Sequence, residues 1–230
     1  MLCDSSSSTR AGLDLGMSPA LDCGLEAWGR SDGFNPLSLS PALWLSDTGN
    51  DPSVWPDISG NKRDFTQSYA PSRPTIVAGA LNGRQVRRFN NSVLKATFSM
   101  QTTFCALVCK RSTIDGSYPS AIGGLGLVNE SFLTFQGGAP NIYYPRGTGY
   151  INGVRRSNTE HPTPVPNVWF IYFFGGATGA TTFSVGNRYT IDQPFPGDIA
   201  EIIFFASALS IENRQRVERH LGQKWGIPVA

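Results

Sequence analysis

PGDIAEIIFFASALSIENRQRVERHLGQKWGIP, Pro196 to Pro228, decides the fold. Its first third is almost continuously apolar, as in a strand covered on both faces, and carries one carboxylate, Glu201. The remainder has the period of a helix. Ser210 is a good N-cap, and Glu212 falls in the first turn, where the helix dipole favours a negative charge. Val217, Leu221 and Trp225 recur at i, i+4 and i+8 and form one apolar stripe, leaving Arg214, Arg216, Glu218 and Arg219 to the other sides. Lys224 suits the last turn, Gly226 the C′ position, and Pro228 blocks continuation. The spacing predicts a strand followed by a helix over 211–225, and nothing upstream has a comparable helical period.

Upstream of this ending, strand signals begin at Pro41. ALWLS, QVRRF, TFCALVCK, SFLTFQ and VWFIYFF are short apolar or alternating runs, separated by SDTGND, DISGN, QGGAP and FGGATGA. Asn152-Gly153 stands between two strand-like runs and favours a type I′ hairpin. With 25 Gly, 16 Pro and only 16% charged residues, the composition suits many short strands and turns. The pattern is all-β, a sandwich or barrel closed by one C-terminal helix. Residues 1–38 differ: a four-Ser run, scattered Gly and no sustained period predict an extended N-terminal arm. Residues 39–230 form the β domain.

Charge and cysteine usage narrow the partners. A net charge of +2 gives no basis for nucleic-acid or anionic-membrane binding. The longest apolar run, NVWFIYFFGGA, is about half of the ~20 residues a membrane span needs, which predicts no membrane insertion. The first residues lack a basic region followed by an apolar one, so no secretion signal is expected. Cys105 and Cys109 share one strand face at ~13 Å, too far for a disulfide, whose Cα atoms lie within ~7 Å. They read as core thiols. Whether Cys3 and Cys23 pair is open. The cysteines match no zinc spacing and fit a reducing compartment.

The ending and the start of the β region together resemble a known family. The residues are Leu43-Trp44-Leu45, Trp55-x-Asp57-x-Ser59-Gly60-Asn61 and Gln67, then Gly197-x-Ile199-Ala200-Glu201-Ile202, Leu209-Ser210, Arg214, Val217-Glu218, Leu221 and Lys224-Trp225-Gly226-Ile227. They are similar to the concanavalin A-like lectin/glucanase superfamily, and more narrowly to laminin-G-like jelly-roll domains of the kind found in bacteriophage virion proteins. YINGV resembles the family's Asn-Gly hairpin. The resemblance covers Pro41 to Pro228 and implies a jelly-roll β-sandwich. It leaves function open, because one sandwich hosts many tasks.

Candidate sites follow from residue chemistry. Glucanases of this fold carry Glu-x-Asp-x-x-Glu on a strand, and two close carboxylates are needed to divide acid and nucleophile work. That motif is missing. Asp198 and Glu201 are three apart, which predicts opposite sheet faces, and Glu201 is expected to meet an Arg or backbone donors as a structural anchor, with Trp44 and Trp225 as core anchors. His161 and His220 have no nearby nucleophile. The expectation is a chain that is not an enzyme and needs no cofactor. Asp47, Asp51, Asp57 and Asn61 are hard oxygen ligands that suit Ca²⁺, but turn formation accounts for them more simply. Tyr69, Tyr118, Tyr143, Tyr144 and Tyr150 lie in or beside loops and are candidates for stacking on sugars.

The function expected from this is a virion structural protein: a capsid decoration, fibre or tail component assembled in the host cytoplasm. Residues 1–38 would contact other virion proteins and further copies of the chain, and the β domain could bind surface glycans. The alternatives are a glycan-binding adhesion module of a bacterial protein and a glycoside hydrolase, the latter disfavoured by the missing carboxylate pair.

Overall fold

The computed structural model describes residues 33–100, 103–114, 117–125, 131–135, 141–143, 149–156, 161–162, 165–177 and 180–230. The arm assigned to residues 1–38 therefore lies almost wholly outside the described residues, as do Cys3 and Cys23. Residues 35–230 form one compact unit.

Gly197–Phe205 (β16) is the centre of the molecule and is buried along its whole length. It belongs to a sheet with the spatial order Val154–Arg156 (β12), Gly149–Ile151 (β11), Phe170–Ala177 (β14), Thr103–Arg111 (β7), β16, Arg84–Phe89 (β5) and Thr75–Leu81 (β4). Leu43–Leu45 (β1) pairs with the second half of β16. The second sheet runs His161–Pro162 (β13), Asn141–Tyr143 (β10), Ser131–Phe135 (β9), Ser120–Leu125 (β8), Ala180–Val185 (β15), Leu94–Met100 (β6), Phe65–Thr66 (β3) and Val54–Trp55 (β2). All these pairings are antiparallel. The fold is an all-β sandwich of jelly-roll type with one C-terminal α-helix, Ile211–Trp225 (α1). The predicted hairpin is present: Asn152 and Gly153 both have positive φ, 50° and 82°, between β11 and β12.

The core is aromatic. Phe98 stacks on Phe183 with ring centroids 4.5 Å apart, and Phe135 stacks on Phe195 at 5.4 Å. Cys105, Leu107 and Cys109 point into this core from β7. Both thiols are free and buried, and burial pushes each of them well up from its ordinary pKa.

The register corrects one expectation. A bulge between Ile199 and Glu201 inserts a residue into β16. Before it, Ile199 pairs with Cys109 and faces the core; after it, Ile202 pairs with Leu107 and faces the core. Asp198 and Glu201, paired with Lys110 and Val108, therefore share the outer face rather than opposite faces. Simple alternation fails because the extra residue restores the parity that odd spacing breaks.

The helix packs on that outer face. Ser210 Oγ accepts from Asn213 N at 3.2 Å, and Gly226, at φ 68°, closes the C-terminus. Val217, Leu221 and Trp225 are buried as the stripe requires. Arg214 and Glu218, off the apolar stripe, are buried too. They form an i,i+4 ion pair, and the Arg214 guanidinium lies 3.6 Å from the centroid of Tyr150 on β11. Burial raises the Glu218 carboxyl to about 7, against the opposing pull of Arg214, the Gly153 N–H and Arg219.

Candidate functional site

Glu201 is fully buried under α1, and its partners are not the ones expected. The indole N–H of Trp44 donates to Oε1, that of Trp225 donates to Oε2, and Lys224 Nζ sits 2.9 Å from Oε2. Lys224 also reaches Asp47 Oδ1 at 3.0 Å and Ser46 Oγ, and Arg84 pairs with Asp47 at 2.9 Å. Among the described residues, neither an Arg nor a backbone donor meets Glu201; the two tryptophans and Lys224 take its carboxylate oxygens. Burial raises the Glu201 pKa despite Lys224 and the two indoles. Partial burial also acts to raise that of Asp47, but hydrogen bonds from Arg84 and Lys224 outweigh it and bring the carboxyl down to about 2. This chain of charges joins β1, β16 and α1. Four motif residues of the resemblance, Trp44, Glu201, Lys224 and Trp225, thus meet in one structural knot. Asp198, 0% exposed, is held by Arg88 at 2.8 and 3.0 Å and by Lys110 at 3.3 Å.

The four calcium candidates each make hydrogen bonds or ion pairs within the chain. Asp57 accepts from Trp44 N at 2.9 Å, Ser59 N at 2.9 Å and Arg63 N at 3.0 Å, stitching the β2–β3 loop to β1. Asn61 Nδ2 donates to Pro41 O at 3.1 Å and Ala42 O at 3.2 Å. Asp51 accepts from Ser53 N and Oγ at 2.7 and 2.6 Å, and Asp47 serves Arg84 and Lys224. Among the described residues, no group of three His, Cys, Asp or Glu side chains is arranged to hold a metal ion.

The tyrosine candidates divide by place. Tyr69 is 65% exposed and Tyr118 is 42% exposed. Tyr150 is half-buried beneath Arg214. The Tyr143 side chain and Tyr144 lie outside the described residues.

Tyr69 and Tyr118 belong to one end of the sandwich. Across the second sheet, Ile122, Val185 and Leu94 stand in line, and Thr66 pairs with Lys95 beside them. The chain leaving this line gives the loops that hold Tyr118, Gly186–Pro196, Asn90–Val93 and Tyr69. Backbone bonds tie them together and to the other sheet. Ser120 N donates to Gln193 O (3.0 Å), Gly186 N to Ala121 O (2.9 Å), Val93 N to Ser72 O (2.9 Å), Ser112 N to Pro196 O (2.8 Å) and Asn167 N to Arg111 O (2.7 Å). Gly186 seats the cluster: its φ is +86°, and a Cβ there would lie 1.9 Å from Phe89 Cδ1. Gly123 lets the following segment lie flat on β8, since a Cβ would lie 2.7 Å from Tyr189 N.

Exposed apolar groups gather at this end. Of the exposed large hydrophobic side chains among the described residues, Tyr69, Tyr118, Val165, Val168 and Ile191 are here, against Leu37, Leu125, Val154 and Ile211 elsewhere. Half-buried Trp169 adds an indole with Lys110 Nζ 5.3 Å from its centroid, and Lys95 Nζ lies 4.6 Å from the Tyr189 ring. Sequence reading did not single out Val165, Val168, Tyr189 or Ile191. The available signal was Ile191 in GNRYTIDQP, a β-branched residue amid turn formers.

No protein-family model matches the chain, and no curated protein does. Solved structures do. The botulinum neurotoxin serotype D ligand binding domain, solved in complex with N-acetylneuraminic acid, aligns with TM-score 0.54 and 14% identity over 84% of this chain and 56% of that one. Trypanosoma rangeli sialidase aligns with TM-score 0.51 and 11% identity over 83% of this chain and 34% of that one. The chain thus spans little more than half of the first and about a third of the second. At these identities the likeness is one of fold: a β-sandwich shared with a sialidase and with a ligand-binding domain solved with a sialic acid.

One expectation is corrected by this. The chain was expected not to be an enzyme because one glucanase carboxylate pattern is missing. A sialidase, an enzyme by name, stands among the similar structures, so the missing glucanase pattern does not by itself support that expectation.

Proposed function

We propose that the chain is a glycan-binding β-sandwich and that the loop end carrying Tyr69 and Tyr118 is its binding surface. One observation carries this reading: exposed aromatic and aliphatic side chains from four separate loops converge on one end of the sandwich. Aromatic rings offer flat apolar faces to the C–H faces of sugars, and a polar tip to their hydroxyls. Loops held by a rigid scaffold are where binding residues concentrate. The shared fold of a domain solved with N-acetylneuraminic acid supports the reading. A glycan array probed with the purified chain, with and without chelator, tests it. Binding to at least one glycan, lost in both Tyr69→Ala and Tyr118→Ala with the fold intact by circular dichroism, is the expected result. An array silent under both conditions, or binding untouched by both substitutions, would refute the assignment. The chelator arm reports on calcium separately.

The finer placing is on a virion, assembled in the host cytoplasm, with residues 1–38 attaching the domain to other virion proteins and to further copies of the chain. The resemblance to jelly-roll domains of bacteriophage proteins supports it. Deleting residues 1–34, which precede the compact unit beginning at Asn35, is expected to leave the β domain folded and to abolish oligomers in sedimentation analysis. A truncated chain that assembles as the full chain does would overturn this role for the arm.

A further inference from the structure

Among the described residues, left-handed backbone occurs outside glycine at Ser40, Lys62, Asn82, Asn91, Asn152, Asn167 and Ile191. Asparagine tolerates this region, but a β-branched residue there is strained. Ile191 is the β-branched one, at φ 65°, and its side chain gains little from burial because the residue is 47% exposed. Folding alone would favour Gly or Asn at this position.

The loop is built to hold Ile191 so. Arg188 grips Asp192 with a bidentate pair, Nε to Oδ1 at 2.7 Å and the terminal NH2 to Oδ2. Thr190 Oγ1 bonds Asp192 Oδ1 at 2.9 Å and accepts from Arg188 Nε at 2.9 Å. Ile191 N donates to Arg188 O at 2.9 Å. The base is fixed by buried Asn187, whose Oδ1 accepts from Gln193 N at 3.0 Å and whose carbonyl accepts from Ser184 Oγ at 2.9 Å. Strain of this kind persists where the surroundings over-determine it, and such places cluster at ligand clamps. The Tyr118 segment is adjacent, joined through Ser120 N and Gln193 O.

We propose that Ile191 is an apolar specificity contact of the loop-end site, and that the glycans it takes carry an N-acyl group, as N-acetylated sugars do. This rests on the glycan-binding reading above. Sugar hydroxyls gain nothing from a rigid aliphatic side chain. A flat C–H face is met better by the rings of Tyr69 and Tyr118. The methyl of an acetamido group is the substituent that matches a branched aliphatic surface. Because the loop is fixed before the ligand arrives, little ordering remains to oppose binding.

The test uses the full chain and matched oligosaccharides: chitotetraose against cellotetraose, and N-acetyllactosamine against lactose, differing at the acetamido group. At least one N-acetylated probe is expected to bind about tenfold or more tighter than its hydroxyl counterpart, the scale of one apolar group in a pocket. Ile191→Asn should raise the unfolding midpoint by relieving strain, while its affinity for that probe falls to that for the counterpart. Equal wild-type affinity for both members of each bound pair overturns the N-acyl contact but leaves glycan binding standing. A preference kept by Ile191→Asn overturns the role of Ile191. If no glycan of these pairs or of the array binds, the reading it rests on fails with it.

Discussion

Replacing Lys224 with Met tests whether the knot around Glu201 holds the helix to the sandwich. The substitution keeps the aliphatic stem and removes the ammonium 2.9 Å from Glu201 and 3.0 Å from Asp47. Asp47 keeps Arg84, but Glu201, at 0% exposure, keeps only the two indole N–H groups. Removing one partner of a buried pair costs about 3–5 kcal/mol, because the remaining charge stays desolvated. Taking about 3 kcal/mol, and about 2–4 °C per kcal/mol for a chain of this size, the midpoint should fall by roughly 6–12 °C. Urea unfolding followed by tryptophan fluorescence measures the loss. The pH dependence has a definite sign. The Glu201 pKa is already raised from 4.5 by burial, and loss of Lys224 raises it further. A carboxyl with a raised folded pKa contributes stability that is complete below its unfolded pKa and lost as pH rises through the folded one. The deficit of Lys224→Met should therefore be largest at neutral pH and smallest near pH 4.5. Glu201→Gln combined with Lys224→Met should recover at least about 1 kcal/mol relative to the sum of the single changes. A deficit below about 1 kcal/mol, a deficit independent of pH, or strict additivity would refute the coupling.

Three further outcomes are expected. The Glu218 carboxyl, raised by burial from 4.5 to about 7, loses its contribution as pH rises between those values, up to about 3 kcal/mol by pH 8; Glu218→Gln should flatten the pH 5–8 stability slope measured by chemical denaturation. Gly186→Ala should cost about 3 kcal/mol or more, since φ is +86° and the new Cβ overlaps Phe89, and a denaturation curve like the wild type's would contradict the packing described. Cys105 and Cys109 should resist alkylation in the native chain and react once unfolded, which peptide-level mass spectrometry can follow.

What was legible in the sequence was what is local. The 211–225 helix shows through its caps and 3.6-residue period, and the β11–β12 turn through Asn152-Gly153. The face shared by Asp198 and Glu201 was not legible, because a bulge at Ala200 leaves no mark on the alternation of apolar residues. Arg214 and Glu218 have the composition of a solvated face. The hairpin carrying Tyr150, 64 residues before Arg214, arrives to cover the Arg214 guanidinium. The loop end is the least visible feature. Tyr69, Tyr118, Val168 and Ile191 are spread over more than a hundred positions, and sheet register alone brings their loops to one end. Their types carry no periodic signal. A single exposed tyrosine in a loop looks the same whether or not others stand beside it.

Gly186 and Ile191 separate folding from function within one loop. Both have left-handed backbone, at φ 86° and 65°. At Gly186 the reason is on its surface: Phe89 fills the space a side chain would need. Glycine is what packing demands there, and any other residue should be penalised whatever the protein binds. At Ile191 packing demands nothing of the kind, yet the residue present is of the type that backbone tolerates least. The Arg188–Asp192 pair and the Asn187 base hold a conformation the side chain itself opposes. Substitutions at the base would disturb the loop and its contacts together, so a loss of binding there would be ambiguous. Ile191→Asn is the informative change, because strain relief and loss of an apolar contact move stability and affinity in opposite directions. A residue retained only for the fold would move them together.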